Sequence, residues 1–312
     1  MVLNFMLPRL IPGDPAQQMI QNVTAKTGRP PGPLELQSIF ARYGNPEEGL
    51  LNQFSRYLGE TLQGNLGLSI QYYPVPVVDL VGKAIPWTVY LGLASTVLGW
   101  VIGTVAGARL GWRPGGRFDT VLTPVAMFVN NIPPFFLGLL LVWFVAYQHG
   151  WLPAAGAYNT ELEINLLNPT FLLSVLIYSI LPLTTLIIVG FANWMFTMRN
   201  MMITTVNEDY VQLARAKGLS PTQVRTRYAA RNAILPNFTG LAQAIGFTLT
   251  SVVLAESVFV YPGVGGLLGA ANTERDYPVI QGIMLIIIAI TLVFNFLADS
   301  VYTLLDPRIQ ES

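Results

Sequence analysis

Five stretches of this 312-residue chain contain no Asp, Glu, Lys or Arg: residues 84–108, 120–160, 164–198, 232–255 and 277–298. A helix needs about 20 mostly apolar residues to cross the roughly 30 Å hydrocarbon core of a bilayer, and each stretch is long enough. All 34 charged side chains therefore lie in the remaining 165 residues. The charge density there, about 21%, is near that of ordinary soluble domains. A chain divided in this way is solvated by lipid in some segments and by water in others. Soluble enzyme, disordered chain and disulfide scaffold are excluded. With no Cys there is no thiolate nucleophile and no Cys-ligated metal, and no metal site is expected. Seventeen basic and 17 acidic residues cancel, which gives no global electrostatic case for a nucleic-acid partner.

Four stretches yield one span each, at about 85–108, 171–195, 233–255 and 278–298. The stretch 120–160 is too long for one helix. It reads as a span at about 120–147 followed by a wet segment from His149-Gly150 through Pro153, Gly156 and Asn159. Short-loop cations set the orientation. Arg109, Arg113 and Arg117 lie in the loop 109–119. Arg199, Arg215, Lys217, Arg225, Arg227 and Arg231 lie in the loop 199–231. The alternate loops, 149–170 and 256–277, share only Arg275. The two basic loops and the C-terminal tail are thus expected in the cytoplasm, with residues 12–83 outside. Met1–Ile11 is apolar apart from Arg9 but covers only about half a bilayer. It has no basic region before an apolar core, unlike a signal peptide. The expectation is a partial first helix, truncated at its start. The fold class is then an all-α integral membrane protein of about six transmembrane helices.

The outer segment 12–83 carries turn markers (Pro12-Gly13-Asp14-Pro15, Gly28-Arg29-Pro30-Pro31-Gly32-Pro33) around candidate helices near 34–43 and 49–62. It reads as a small extracytoplasmic lobe. Gly99, Gly103, Gly107 and Gly111 recur at every fourth residue of the first full span. That spacing makes a flat strip for close approach of a neighbouring helix. Asn130-Asn131-Ile132-Pro133-Pro134 interrupts the second full span. Carboxamides and prolines at that depth are tolerated where they are buried in protein or line a wet cavity, so Asn130, Asn131, Pro133 and Pro134 are candidate pathway-lining residues.

No full span contains an Asp, Glu, Lys, Arg or His, which disfavours an ion-coupled carrier and leaves an intramembrane hydrolase only Tyr, Ser and Asn, a weak catalytic set. No G-x-x-x-x-G-K-[ST] phosphate loop is present. No enzymatic activity, ATPase site or bound cofactor is expected. The informative segment is the loop 199–231. Asn207 or Asp209 can cap a short helix that ends with Lys217 in its last turn and Gly218 as a left-handed stop. Ser220 then caps a second helix with Pro221 at its first position, and Ser-x-x-Gln through Gln223 completes a capping box. Positive-inside topology explains the charges. It does not explain two capped helices where a short connection would do, so a partner is expected to dock there.

At this loop the sequence resembles a known family. Asp209-Tyr210-Val211, Ala214-Arg215-Ala216-Lys217-Gly218-Leu219 and Arg231-Asn232-Ala233-Ile234-Leu235-Pro236 are similar to the cytoplasmic coupling motif of ABC importer permeases, in the variant of the dipeptide/oligopeptide/nickel family. Gly64-Asn65-Leu66-Gly67-Leu68-Ser69, Trp151-Leu152-Pro153, Glu256-Ser257-Val258-Phe259, Tyr261-Pro262-Gly263-Val264-Gly265, Arg275-Asp276-Tyr277-Pro278 and Asp306-Pro307-Arg308 agree in order along the chain. The outer lobe points to the B-type subunit. The resemblance implies a transmembrane domain over 84–312 in the plasma (inner) membrane and a second related permease beside it. It also implies two ATPase subunits holding ATP and Mg below, and a solute-binding protein outside. In that scheme Asp209, Tyr210, Ala214, Arg215, Ala216, Lys217, Gly218 and Leu219 couple ATP hydrolysis to transport. Gln212 stands where the general motif has Glu. Peptides are the expected solute, with oligosaccharides, nickel or glutathione as alternatives, and an ATP-independent channel or carrier as the reading from a different class.

Overall fold

The computed structural model describes residues 1–10, 15–33, 35–36, 39–40 and 48–305. Regular structure among them is helical, apart from an isolated bridge between Leu68 and Pro76. In chain order the helices are α1 (Val2–Leu10), α2 (Pro15–Thr27), α3 (Leu50–Leu62), α4 (Val77–Trp112), α5 (Arg117–Asn130) and α6 (Pro134–Leu141), the last continuing as a π-helix over Val142–Gln148. Then follow α7 (Pro169–Thr205), α8 (Asp209–Ala216), and α9, built from Pro221–Gln223, π-helical Val224–Ala229 and Ala230–Ala233. The chain closes with α10 (Leu235–Val258), α11 (Val264–Thr273) and α12 (Tyr277–Leu305). α4 and α7, at 36 and 37 residues, are long and apolar enough to cross a membrane, and the pair α5–α6 qualifies if taken together. The chain divides into two compact units, one of residues 1–87 and 262–290, the other of 88–261 and 291–312.

In the first unit Val77, Val81 and Ala84 pack with Leu66, Val264, Ala271, Val279 and Ile283. Gly282 has no room for a side chain, because a Cβ there would lie 2.5 Å from Val77 Cγ1. Asp276 is fully buried. Its carboxylate accepts from the Ser69 hydroxyl, the Gln71 N–H at 2.8 Å and the Val279 N–H at 3.3 Å, which caps the start of α12. Two motifs 207 residues apart in sequence thus meet at one carboxylate. Asn4 of α1 donates to Tyr57 Oη and the Gln281 carbonyl, and its own carbonyl accepts from Gln281 Nε2. Helix α2 was not foreseen in the sequence. It is polar overall and forms because Ala16, Met19 and Val23 bury one face against Ile39 and Ile70. The candidate helix at 49–62 is α3, whereas the one near 34–43 lies mostly outside the described residues.

The second unit is organised by α4 against α7. A Cβ on Gly103 would fall 2.6 Å from Trp194 Cβ, one on Gly107 2.8 Å from Met198 Cβ, and one on Gly111 2.5 Å from the Arg199 carbonyl oxygen. Gly99 has ordinary room, 3.8 Å from the Phe191 nitrogen. At the end of the strip Arg199 makes a two-pronged ion pair with Asp119, both contacts at 2.7 Å. Asp119 also accepts from the Gly115 N–H and the Thr123 hydroxyl.

Two expected spans differ in form. Residues 120–147 are not one helix, because α5 and the α6 segment meet at 101°. Pro133 and Pro134 cannot donate to the helix ladder, and Asn131 Nδ2 turns back to bond the Met127 carbonyl at 2.7 Å. Helix α7 runs to Thr205, ten residues past the expected end at 195. Charge alone does not stop a helix: Arg199 is paired, and Thr197 and Thr204 bond the carbonyls of Asn193 and Asn200. The connection to α10 therefore starts at 206 rather than 199.

Two outcomes follow. Gly107→Val is expected to lower unfolding stability in detergent by about 3 kcal/mol or more through backbone overpacking, while Gly99→Ala stays neutral or gains slightly. Thermal unfolding of the two variants checks this. Glu35 accepts from the Tyr73 hydroxyl, from Arg29 at 2.9 and 3.1 Å and from the Gly32 N–H. These bonds, Tyr73's first, hold its carboxyl at about 2 against an ordinary 4.5. A depressed carboxyl stabilises the fold above its unfolded pKa and loses that contribution as pH falls through the folded one. The protection of the Gly32 amide, the slowing of its exchange relative to that of an unstructured amide at the same pH, should accordingly hold from pH 7 to pH 4.5 and fall toward pH 2. In Glu35→Gln that acid-dependent change disappears.

Candidate functional site: the helix–turn–helix between α7 and α10

The sequence between Thr205 and Leu235 builds two short helices that pack together by one face and are exposed on the other. In α8 the side chains at i and i+3 face inward: Val211 and Ala214 are buried, while Asp209, Tyr210, Gln212, Leu213, Arg215 and Ala216 are exposed. Leu213 is 56% exposed, a large apolar side chain left in the open on a short helix. Val211 and Ala214 rest on Met198 and Met202 of α7 and on Val224, Ala229 and Ala233 of α9, with Trp112 and Leu219 packed at the edge. The inward faces of both helices thus form a core of their own.

The caps fix the turn. Glu208 is the N-cap of α8 in extended backbone, without a side-chain bond. The expected cappers do other things: Asn207 closes the end of α7 by donating to the Ile203 carbonyl, and Asp209 is already inside the helix. At the other end Lys217 is the C-cap and Gly218 takes φ +74°, with its N–H on the Arg215 carbonyl. Apart from its two chain neighbours, no atom of the described residues lies within 4 Å of a Cβ built on Gly218. Within this chain the glycine is needed for its backbone conformation alone. Ser220 and Gln223 form the full capping box, each side chain accepting the other's backbone N–H at 3.3 Å.

Arg215, Lys217, Arg227 and Arg231 are exposed, and among the described residues none of them stands in a salt bridge. The Arg215 guanidinium lies over the Trp112 ring, 4.9 Å from its centroid, which ties α8 to the end of α4. Gln212, which departs from the Glu of the general motif, folds back to donate to the Val206 carbonyl. The structure therefore gathers Asp209, Tyr210, Arg215, Ala216, Lys217 and Gly218 on one open surface, with Ala214 beneath and Leu219 half-buried at the turn. Trp112, Met198 and Met202 support that surface and were not singled out in the sequence. Trp112 comes from a helix about 100 residues earlier in the chain, and Met198 and Met202 read in the sequence as ordinary apolar residues of a span end.

The other candidates lie elsewhere. Asn130 and Pro134 are half-buried and Asn131 and Pro133 exposed at the bend between α5 and α6. Gly103 and Gly107 are occupied in helix packing. No three His, Asp or Glu side chains among the described residues are placed to hold a metal ion.

Residues 97–311 match the family described as the binding-protein-dependent transport system inner membrane component. A probable peptide ABC transporter permease from Sinorhizobium fredii is 32% identical, covering 98% of this chain and 92% of its own. The oligopeptide transport system permease AppB of Bacillus subtilis is 30% identical, covering 99% and 93%. The glutathione transport system permease GsiC of Escherichia coli is 29% identical over similar shares, 99% and 93%. Among solved structures, an inward-facing MetNI methionine ABC transporter chain superposes with a TM-score of 0.55 at 16% identity, covering 72% of this chain and 94% of that one.

Ser220→Ala should destabilise the turn by about 1 kcal/mol through loss of the cap. The expected signature is faster amide exchange at Gln223 and neighbouring residues, with exchange in α4 unchanged.

Proposed function

This chain belongs to the inner membrane components of binding-protein-dependent transport systems, and on that premise we propose that it is a permease subunit of an ABC importer of peptides. The observation that carries the proposal is the helix–turn–helix: a capped, self-packed pair of helices that offers an open face of Asp209, Tyr210, Leu213, Arg215 and Lys217. Such a knob is stiff enough to be pushed. Seated in a cleft of a separate ATPase subunit, it would turn nucleotide-driven closure into rigid displacement of the helices beneath it.

The finer assignments belong to the same reading. The chain has about six membrane crossings, with the α5–α6 pair forming one broken crossing. Residues 12–83 make an extracytoplasmic lobe, and the 206–234 connection and C-terminal tail lie in the cytoplasm. Cation counts of the short loops support that orientation. The partners are a second related permease, two ATPases that hold ATP and Mg, a solute-binding protein outside, and membrane lipid. This chain carries no cofactor of its own, and the bend at Asn130, Asn131, Pro133 and Pro134 lines the solute path. Peptides are favoured over oligosaccharides, nickel or glutathione because relatives at 30% identity or above are named for peptides. A pathway without fixed charges also suits a bulky, weakly held solute.

Gly218 separates the backbone requirement from the docking requirement. In the assembled transporter Gly218→Asn, which tolerates left-handed backbone, should keep most uptake of tetra-alanine. Gly218→Trp, which projects a large ring into the open space, should cut uptake per ATP about tenfold while the chain still inserts. Wild-type uptake by the Trp variant would sink the coupling role. Uptake by the purified chain alone in liposomes would favour an ATP-independent carrier instead.

A further inference from the structure

The α9–α10 junction, where the docking helices pass into the bundle, carries a proline in the first turn of α10. The helix ladder holds on either side of it: the Ile234 N–H reaches the Ala230 carbonyl at 3.0 Å, and the Phe238 N–H reaches the Ile234 carbonyl at 2.9 Å. Between these bonds Pro236 has no N–H to offer, and Ile234 itself is a turn. One residue beyond Pro236 stands Asn237, a carboxamide with only 1% of its surface exposed.

Asn237 bonds to two other helices. Its Nδ2 donates to Thr104 Oγ1 of α4 at 3.1 Å and to the Trp194 carbonyl of α7 at 3.1 Å. Its own carbonyl accepts from Trp100 Nε1 of α4 at 3.1 Å. The Trp100 ring packs edge-on against Phe238, with centroids 6.3 Å apart. The Trp194 carbonyl can only accept, so the amide must present its nitrogen there. That orientation leaves Oδ1 buried with no hydrogen-bond partner among the described residues. A buried polar group of this kind is costly. A Leu side chain of similar size would pack without that cost, so ordinary helix packing does not account for an asparagine here.

We infer that Asn237 is a positioning residue that ties the foot of α10 to α4 and α7, so that displacement of the docking helices reaches the bundle as one rigid movement. The inference rests on the coupling role proposed above. Where the backbone is interrupted by Pro236, three hydrogen bonds to neighbouring helices take over as the mechanical link. The same α4 carries Trp112 under Arg215, so α4 is held to the docking segment at one point and to α10 at another.

The test uses the permease assembled with its ATPases in nanodiscs. Spin labels go at Thr222 on α9 and Val105 on α4, both exposed. Their separation is read without nucleotide and with ATP plus vanadate. In the otherwise native complex it should stay fixed, and in Asn237→Leu it should shift with nucleotide while tetra-alanine uptake per ATP falls about tenfold. A fixed separation with normal uptake per ATP in Asn237→Leu overturns the inference, as does a nucleotide-dependent shift without the mutation. Thr104→Val removes only the Thr104 bond, leaving those of Trp100 and Trp194, and should show a partial loss that Thr104→Ser restores. Thr104→Val indistinguishable from the parent overturns the inference even if Asn237→Leu does not assemble. Failure of the ATPases to bind the unmutated chain would instead remove the coupling role, and this inference with it.

Discussion

The backbone-to-backbone contact of α4 with α7 is the constraint on which the second unit depends. In lipid, helices gain nothing by burying apolar surface against each other, so association rests on close packing and polar bonds. Gly103, Gly107 and Gly111 let α4 approach until Cβ atoms of Trp194, Met198 and Met202 fill the space that side chains would take. The strip ends where Gly111 meets the Arg199 carbonyl, and the Arg199 side chain there holds Asp119. One short stretch of α7 thus supports α4 through its backbone, the start of α5 through its guanidinium and the docking helices through Met198 and Met202. The docking helices can be brief because their foundation is built by longer elements.

The bend between α5 and α6 applies the opposite principle. Two prolines and two asparagines end one helix and begin another at 101°. The second helix then softens into a π-helical stretch over Val142–Gln148. Irregular backbone of this kind is stable in a membrane only where protein or water satisfies it. Gly138 lies against the Phe259 ring, 3.2 Å from where its Cβ would be, and the Phe259 carbonyl accepts from the Gly156 N–H. The broken segment is therefore braced by the residues around the far end of α10.

Much of this was legible in the sequence because the signals were local. Charge-free length located α4, α7, α10 and α12, the Ser220–Gln223 pair announced its capping box, and Gly218 announced a left-handed turn. The family resemblance was carried by motifs that are continuous in the chain. What escaped was set by distant partners. α2 has too little apolar pattern to be read alone and exists through one buried face. The ends of α4 and α7 outrun their apolar cores, since Pro86 sits within a continuing helix and Arg199 is neutralised by a residue 80 positions away. Arg199 counted as a loop cation in the orientation reading, yet it is a paired side chain on a helix. Asn207 illustrates the same limit at short range, because a carboxamide between two helices can close the first or open the second.

The floor beneath the docking helices is made largely of methionine. Met198 and Met202 are fully buried and Met201 packs beside them. Thioether chains are unbranched, polarisable and able to change rotamer without opening a void. A floor of Ile or Val, restricted in its rotamers, would leave gaps beneath side chains as small as Ala214, Ala229 and Ala233. Methionine fills those gaps, so the helix pair sits on α7 without voids and has no slack in which to slide over it.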